Sequence, residues 1–245
     1  MSKLLDQYQE AVHDLYNKIE TTQRENIIVA GKMIADCVTN GGAVHLSNIC
    51  HMIQHDLLNR GGGPAFYKNF TYNLTVDNHN VRTRDRSGLS NNIEGLARYA
   101  LQSSGALPGD ILIISSVSGR SLSTVDLAVE AGKFGLKVIA LMSIDYAHSV
   151  EPVHSSGKKL FDMVDLVIDN CAPEAEAMLN VEGLDAKFAA ASGLSSAYIL
   201  WGATAVAVEL LIERGTPPGI YKSANYPGGM EHLAEVNRLY NERGY

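Results

Sequence analysis

Residues 115–124 read SSVSGRSLST, placing six hydroxyl side chains, a glycine and an arginine between an apolar run and a helical one. A βα connection of ordinary length needs only one capping side chain. This segment carries more donors than a cap requires. Gly119 permits a turn in which successive backbone N–H groups converge. Ser116, Ser118, Ser121 and Ser123 add hydroxyls, and the start of the following helix adds partial positive charge. Together they suit a small dianion, most often a phosphate ester. Arg120 can pair with that ester or face solvent. The segment is neither GxxxxGK[ST] nor GxGxxG. A capped helix with a polar loop is the plain alternative.

Other residues could supply acids, bases or metal ligands. His51 and His55 lie four apart on an expected helix and share a face, a spacing that can grip zinc. Glu231 and His232, or another carboxylate, would complete the set. The plain alternative is that Asp56 pairs with one of the histidines. Glu231 and His232 sit in GGMEHLAEVN, where Gly228 and Gly229 permit close approach to a site or a partner subunit. They are the foremost acid–base candidates. Asp145, His148, Glu174 and Glu176 follow later strands and could also reach a ligand. Ser192, Ser195 and Ser196 open a long apolar helix, as caps or as partners of sugar hydroxyls.

The elements around these residues alternate. Apolar residues from Leu4 to Ile19 recur at helical spacing, so residues 3–20 form one helix and about 22–38 a second, stopped by Asn40-Gly41-Gly42. AVHLS (43–47) is a strand, 51–60 a helix ended by glycines, and AFYKNF (65–70) a short strand. Residues 71–92 form a long polar loop. DILIISS (110–116), a helix over 122–135 and KVIALMS (137–143) make a βαβ unit whose apolar strands suit a sheet covered on both faces. DLVIDN (165–170) is another strand, and KFAAAS (187–192) a last strand or a helix entry. A small-residue helix runs to about Arg214, and a final helix spans about 229–243. The expected fold is α/β: a doubly wound, mainly parallel five-stranded sheet of flavodoxin-type order, flanked by helices. Residues 1–245 form one domain, with a helical arm (1–40) and a core with C-terminal helices (41–245). Ligands of such sheets sit beyond the carboxyl ends of the strands.

Composition narrows the function classes. There are 20 Lys and Arg against 27 Asp and Glu, a net charge of −7, which argues against nucleic acid as a main partner. Cys37, Cys50 and Cys171 are odd in number and lack a CxxC spacing, so neither a disulfide framework nor a zinc knot is expected. That usage fits a reducing cytoplasm, and the charged, amphipathic N-terminus is not a signal peptide. The uncharged stretch 188–208 approaches spanning length but is rich in Ala, Ser and Gly, so a helix buried in a globular domain is expected rather than a membrane span.

ILIISSVSGRSLSTVDLAVEAGKFGLKVIALMS resembles the phosphate-binding half of a SIS (sugar isomerase) domain: strand, S-x-S-G-x-[ST], helix, strand. HMIQHDLLNRGGG, DLVIDNCAPEAEA and ELLIERGTPPGIYKSANYPGGMEHLAEVN resemble a bacterial branch of single-SIS-domain proteins grouped with phosphosugar binders and phosphoheptose isomerases. The similarity covers nearly the whole chain. It implies that Ser116, Ser118 and Ser121, with the Gly119 and Arg120 amides, hold a sugar phosphate. It also implies a homodimer or homotetramer in which each subunit lends residues to the other's site. No cofactor is required, although some phosphoheptose isomerases bind zinc. The family's glycine-rich turn after the first strand is Leu46-Ser47-Asn48-Ile49-Cys50 here: Asn48 can replace a glycine, and Cys50 stands where serine is expected. The branch's Gly-Asp-Ala is replaced within Glu174-Ala175-Glu176-Ala177. Three functions follow: aldose–ketose isomerisation of a sugar phosphate through a cis-enediol; a non-catalytic sugar-phosphate sensor; or a lyase or deaminase of an amino-sugar phosphate.

Overall fold

The computed structural model describes residues 2–47, 54–78, 82–85, 87–89 and 93–245. Five strands form one sheet: β1 (Val44–Ser47), β2 (Tyr67–Phe70), β3 (Ile111–Ser115), β4 (Lys137–Met142) and β5 (Leu166–Asp169). Their order is β2-β1-β3-β4-β5, and every pairing is parallel. This is the doubly wound, flavodoxin-type order expected above. Ile111 lies beside Val44 and Lys137, and Ser115 beside Leu141.

Alternation along β3 divides the core. Ile111 and Ile113 join a cluster with helices α1 (Lys3–Thr39) and α6 (Ser192–Glu213). Leu112 and Ile114 join a second cluster with α3 (Leu96–Gln102) and α4 (Leu122–Phe134). All five β3 residues are buried. A strand covered on both faces needs this unbroken apolar run, because successive side chains point to opposite layers. The remaining helices are α2 (Gln54–Leu57), α5 (Ile144–His148) and α7 (Gly229–Arg243). Residues 71–78, 82–85, 87–89 and 93–94 carry no helix or strand, as expected for the long polar loop.

Two expectations are corrected. Residues 3–39 form one continuous helix, not two. Thr21 and Thr22 turn their hydroxyls back onto helix carbonyls, with Thr21 bonding Asn17 O at 2.8 Å and Thr22 bonding Lys18 O at 2.7 Å. Serine and threonine can do this without ending a helix. The buried stripe Leu15, Ile19, Gln23, Ala30 and Ile34 therefore runs on without a break. The second half of α1 is a layer of the core, packed on α6. Gly31 makes the close approach possible: a Cβ there would lie 2.5 Å from Val206 Cβ.

The second correction concerns residues 187–192. Phe188–Ala190 is a strand (β7), but it pairs antiparallel with Ala177–Leu179 (β6) in a separate two-stranded ribbon. Its partner is the strand just before it in the chain, and one-strand periodicity says nothing about which strand is joined.

At the entry end of the sheet, Asp110 is buried and fully engaged. Its carboxylate accepts the amides of Ala43 and Leu107, and His45 Nε2–H at 2.9 Å. The loops after β3, β4 and β5 all leave the opposite, exit end.

Candidate functional site

The serine-rich loop begins where β3 ends. The Ser116 amide extends the ladder by donating to Leu141 O at 2.9 Å. The chain then turns. Gly119 has φ +60°, and its amide donates to the buried Ser116 hydroxyl at 3.1 Å. Its carbonyl accepts from Leu160 N at 2.8 Å. A Cβ at Gly119 would stand 2.3 Å from Met142 Cε, and Met142 is fully buried. Backbone conformation is what demands glycine here, and a Cβ would in addition displace the end of the Met142 side chain.

Ser121 is the N-cap of α4, yet its hydroxyl bonds no helix amide. It shares a 2.6 Å hydrogen bond with the buried hydroxyl of Thr124 instead. Among the described residues, no acceptor is paired with the amides of Ser118, Arg120 or Ser121. The start of a 13-residue helix therefore offers unsatisfied donors beside a cluster of hydroxyls. Ser115 Oγ, also buried, has no hydrogen-bond partner among the described residues. A buried polar group without a partner costs about 1–3 kcal/mol.

Ser143 joins this loop to the segment after β5. Its amide donates to Val117 O at 2.9 Å, and its buried hydroxyl donates to Ala172 O at 2.6 Å. It also caps α5 by accepting the Tyr146 amide. Asp145, beside it, lies on the surface and pairs with Lys18 at 3.3 Å. Burial works to lower the Lys18 ammonium, but its hydrogen bond to Asp145, together with the negative charge around it, outweighs burial and holds the group above its ordinary value. Burial and the neighbouring Asp169 push the Cys171 thiol up, which keeps it protonated.

The segment after β5 is conformationally unusual. Five non-glycine residues have positive φ among those described, and four of them lie between β5 and α6: Cys171, Ala175, Glu176 and Ala189. Such backbone costs on the order of 1–3 kcal/mol per residue and gathers at functional sites. Ala175 adopts φ 58°. Glu176 follows at φ 74°; its carboxylate accepts the Ser192 hydroxyl, and its carbonyl accepts the Ala191 amide at 3.0 Å. Beside it opens a cavity of about 530 Å³ whose lining includes Asp56, Glu176, Ser192, Tyr16, Tyr198 and Trp201. Tyr16 and Tyr198 stack with centroids 4.7 Å apart. The serine-rich loop does not line this cavity.

Glu231 and His232 are placed elsewhere. Glu231 is exposed on the first turn of α7. His232 donates from Nε2 to Ile220 O at 2.9 Å, and Ile220 bridges to Pro64, just ahead of β2. Within one subunit that is the entry end of the sheet, opposite the serine-rich loop. Asn48, Cys50 and His51 lie outside the described residues, as does the side chain of His55, so the candidate zinc pair is not placed. Among the described residues, no three His, Cys, Asp or Glu side chains form a group able to hold a metal.

Sequence reasoning named Ser116, Ser118, Gly119, Arg120 and Ser121, and they share one loop. It passed over Thr124, Ser143 and Asp56 as site residues. Thr124 had a legible signal, an S-x-x-T spacing at a helix start. Ser143 showed only as a helix cap, because its bonds to Val117 and Ala172 reach residues far away in the chain.

Residues 7–143, more than half of the chain, match the SIS domain. The UPF0309 protein of Streptomyces griseus is 34% identical over 99% of this chain and 97% of its own length. UPF0309 protein OB3413 of Oceanobacillus iheyensis is 30% identical over 98% and 97%. Phosphoheptose isomerase GmhA from Neisseria gonorrhoeae superposes with a TM-score of 0.50 at 17% identity, covering 85% of this chain and 96% of that one, a likeness of fold. Serine-rich turn, parallel sheet and whole-length relatives agree: this chain belongs to the SIS domain family, among its UPF0309 members.

Proposed function

We propose that the protein binds a sugar phosphate at the exit end of its sheet and interconverts the aldose and ketose forms. The observation that carries the binding half is the loop 116–121: a left-handed glycine, three amides without acceptors among the described residues, and hydroxyls at the start of α4. Preorganised donors of this kind are what a phosphate dianion needs. Isomerisation through a cis-enediol requires a base that takes a proton from one sugar carbon and returns it to the next. Glu231 and His232 are the pair proposed for it. The Nε2–H bond to Ile220 O leaves Nδ1 as the basic nitrogen of neutral His232. Because the pair lies at the entry end of its own subunit, it serves a serine-rich loop across a subunit boundary, in a homodimer or homotetramer. Zinc at His51 and His55 is an optional addition, checked by metal analysis of the purified chain.

The test is NMR of sedoheptulose 7-phosphate and of hexose 6-phosphates incubated with the protein, with and without zinc. Conversion of one to its isomer supports the enzyme. Thermal stabilisation by a sugar phosphate without turnover leaves the sensor reading, which the changed turn at residues 46–50 favours. Neither stabilisation nor turnover sinks both.

A further inference from the structure

Helix α6 has two apolar faces. Ile199, Leu200, Ala203 and Ala207 are buried in the core. Leu194, Tyr198, Trp201, Ala205, Val208 and Ile212 lie on the opposite side of the helix, and none of the six is buried. They are spaced 4, 3, 4, 3 and 4 residues apart. A strict apolar stripe of this period is the seam of a coiled coil, which packs into the holes between the side chains of another helix. A surface helix ordinarily keeps its outer side polar and charged. Here no charged residue falls between Lys187 and Glu209. Two cavities open along the seam and meet at Trp201. α1 covers only one flank, where Tyr16 stacks on Tyr198 and Arg24 and Ile27 line a third cavity. The seam does not enter a membrane, because the other face of the same helix is built into the core.

The pattern selects its own partner. A 4-3-4-3-4 spacing is unchanged on reversal, so the seam matches a second copy of itself running the opposite way. Reversal about Ala203 sets Trp201 against Ala205 of the partner subunit, Tyr198 against the partner's Val208, and Leu194 against the partner's Ile212. Each central ring then faces a smaller side chain, as interdigitated packing requires. A parallel pair would set Trp201 on Trp201 of the partner subunit and leave the two Ala205 positions facing each other across a void. There is also surface to spare. The chain exposes 13573 Å². A monomer of 26.5 kDa exposes about 10,700 Å². The surplus exceeds the roughly 800 Å² that a standard interface takes from each partner.

We infer that two copies join through α6, seam to seam and antiparallel, about a two-fold axis passing near Ala203. This pairing follows from α6 itself and holds whether or not the chain binds a sugar phosphate. It has a consequence for the shared site all the same. α6 starts at the exit end of the sheet, where the Ala191 amide bonds Glu176 O after β5. It ends at the entry end, where Arg214 bonds Asp36 and Thr39 at the close of α1. Antiparallel pairing therefore runs the exit end of one copy alongside the entry end of the other. Ile220, which accepts the His232 ring N–H, lines the same cavity as Val208 and Ile212.

Cross-linking of the full chain reads both the face and the direction. Leu194 and Ile212 stand about 27 Å apart along the helix. Leu194→Cys and Ile212→Cys chains, co-expressed and mildly oxidised, should give a cross-linked dimer of one chain of each kind. Neither variant oxidised alone should cross-link beyond the wild-type level. By light scattering, wild type should show an even multiple of 26.5 kDa, and Ala205→Glu should halve that mass with unchanged far-ultraviolet circular dichroism. A carboxylate forced under Trp201 of the partner subunit should raise the dissociation constant at least about 100-fold. If Ala205→Glu fails to fold, the mixed cross-link decides alone. Cross-linking of either variant with itself overturns the antiparallel arrangement. Absence of the mixed cross-link, or an assembly indifferent to a folded Ala205→Glu, moves the interface to another face and overturns the inference. So does a monomeric wild type, including one that sediments with phosphatidylcholine vesicles and so gives the face to a lipid surface. None of these results bears on thermal stabilisation by a sugar phosphate, which tests the phosphosugar reading separately.

Discussion

Gly119 is where conformation, packing and ligand recognition meet. Gly119→Val would force a β-branched side chain into left-handed backbone and onto buried Met142. The loop should distort while the sheet survives, because Ile111–Ser115 are held on both sides by β1 and β4. Sugar-phosphate binding should be lost with far-ultraviolet circular dichroism retained; an unchanged dissociation constant contradicts the role given to the loop. Ser118→Ala tests a single hydroxyl. If it meets a charged ester, affinity should fall by about 1–3 kcal/mol, with little change in melting temperature. Ala175 is a different kind of residue test. It occupies φ 58° without the freedom of glycine. Ala175→Gly should raise stability by about 1 kcal/mol, less than the full left-handed penalty because glycine also loses more entropy on folding. A lowered melting temperature would show that the strain assigned to this segment is not there.

Contacts between helices carry the next set of consequences. α1 and α6 cross closely because Gly31 has no side chain; Gly31→Leu should destabilise the fold by about 1–3 kcal/mol through overpacking. A chemical-denaturation midpoint unchanged from wild type would contradict the close crossing. α3 and α4 are joined by charge. The buried Glu130 carboxylate takes Arg98 at 3.0 Å and Lys133 at 2.7 Å. Burial works to raise its pKa, yet the two cations outweigh burial and hold it below the usual glutamate value. A carboxyl depressed in the folded state stabilises above its unfolded pKa, and that contribution is lost as pH falls through the folded value. Stability measured from pH 7 downward should therefore drop less steeply in Glu130→Gln than in wild type. The neutral loss in that variant should be about 1 kcal/mol, since Arg98 and Lys133 are more than half exposed. An equally steep acid limb in both proteins removes Glu130 from the account.

For the whole molecule, α6 decides much of the reading. Ser192–Glu213 is long and apolar enough to cross a membrane, at a mean hydropathy of 1.5. Its residues Ser195, Ile199, Leu200, Ala203, Ala207 and Leu211 are nevertheless buried against the core. Tyr198 and Ile212 remain exposed on it, as do Leu4 and Leu5 on α1 and Phe188 on β7. The proposed assembly sets the Glu231 and His232 pair of one copy against the serine-rich loop of another, so light scattering should give a multiple of the 26.5 kDa chain mass. Subunit exchange makes a sharper check: Gly119→Val and His232→Ala proteins, each inactive alone, should regain isomerase activity when unfolded and refolded together. Failure of the mixture, with both variants folded, confines the base to the same subunit as the loop.

Local signals in the sequence settled what local physics controls. The apolar run 110–114, the helix over 122–134 and the glycine-hinged serine loop between them were legible because strand period, helix period and positive-φ turns are properties of neighbouring residues. So was the class of fold, a parallel, doubly wound sheet, from the alternation of strands with helices. The tertiary structure alone decided the rest. It fused two expected helices into α1, moved residues 188–190 into a separate ribbon, and set His232 beside Ile220 at the far end of the sheet from Ser118. It also brought Glu176, Asp56 and three aromatic rings around one cavity. These outcomes depend on which distant surfaces pack together, and packing is a sum over contacts that no single stretch of chain contains.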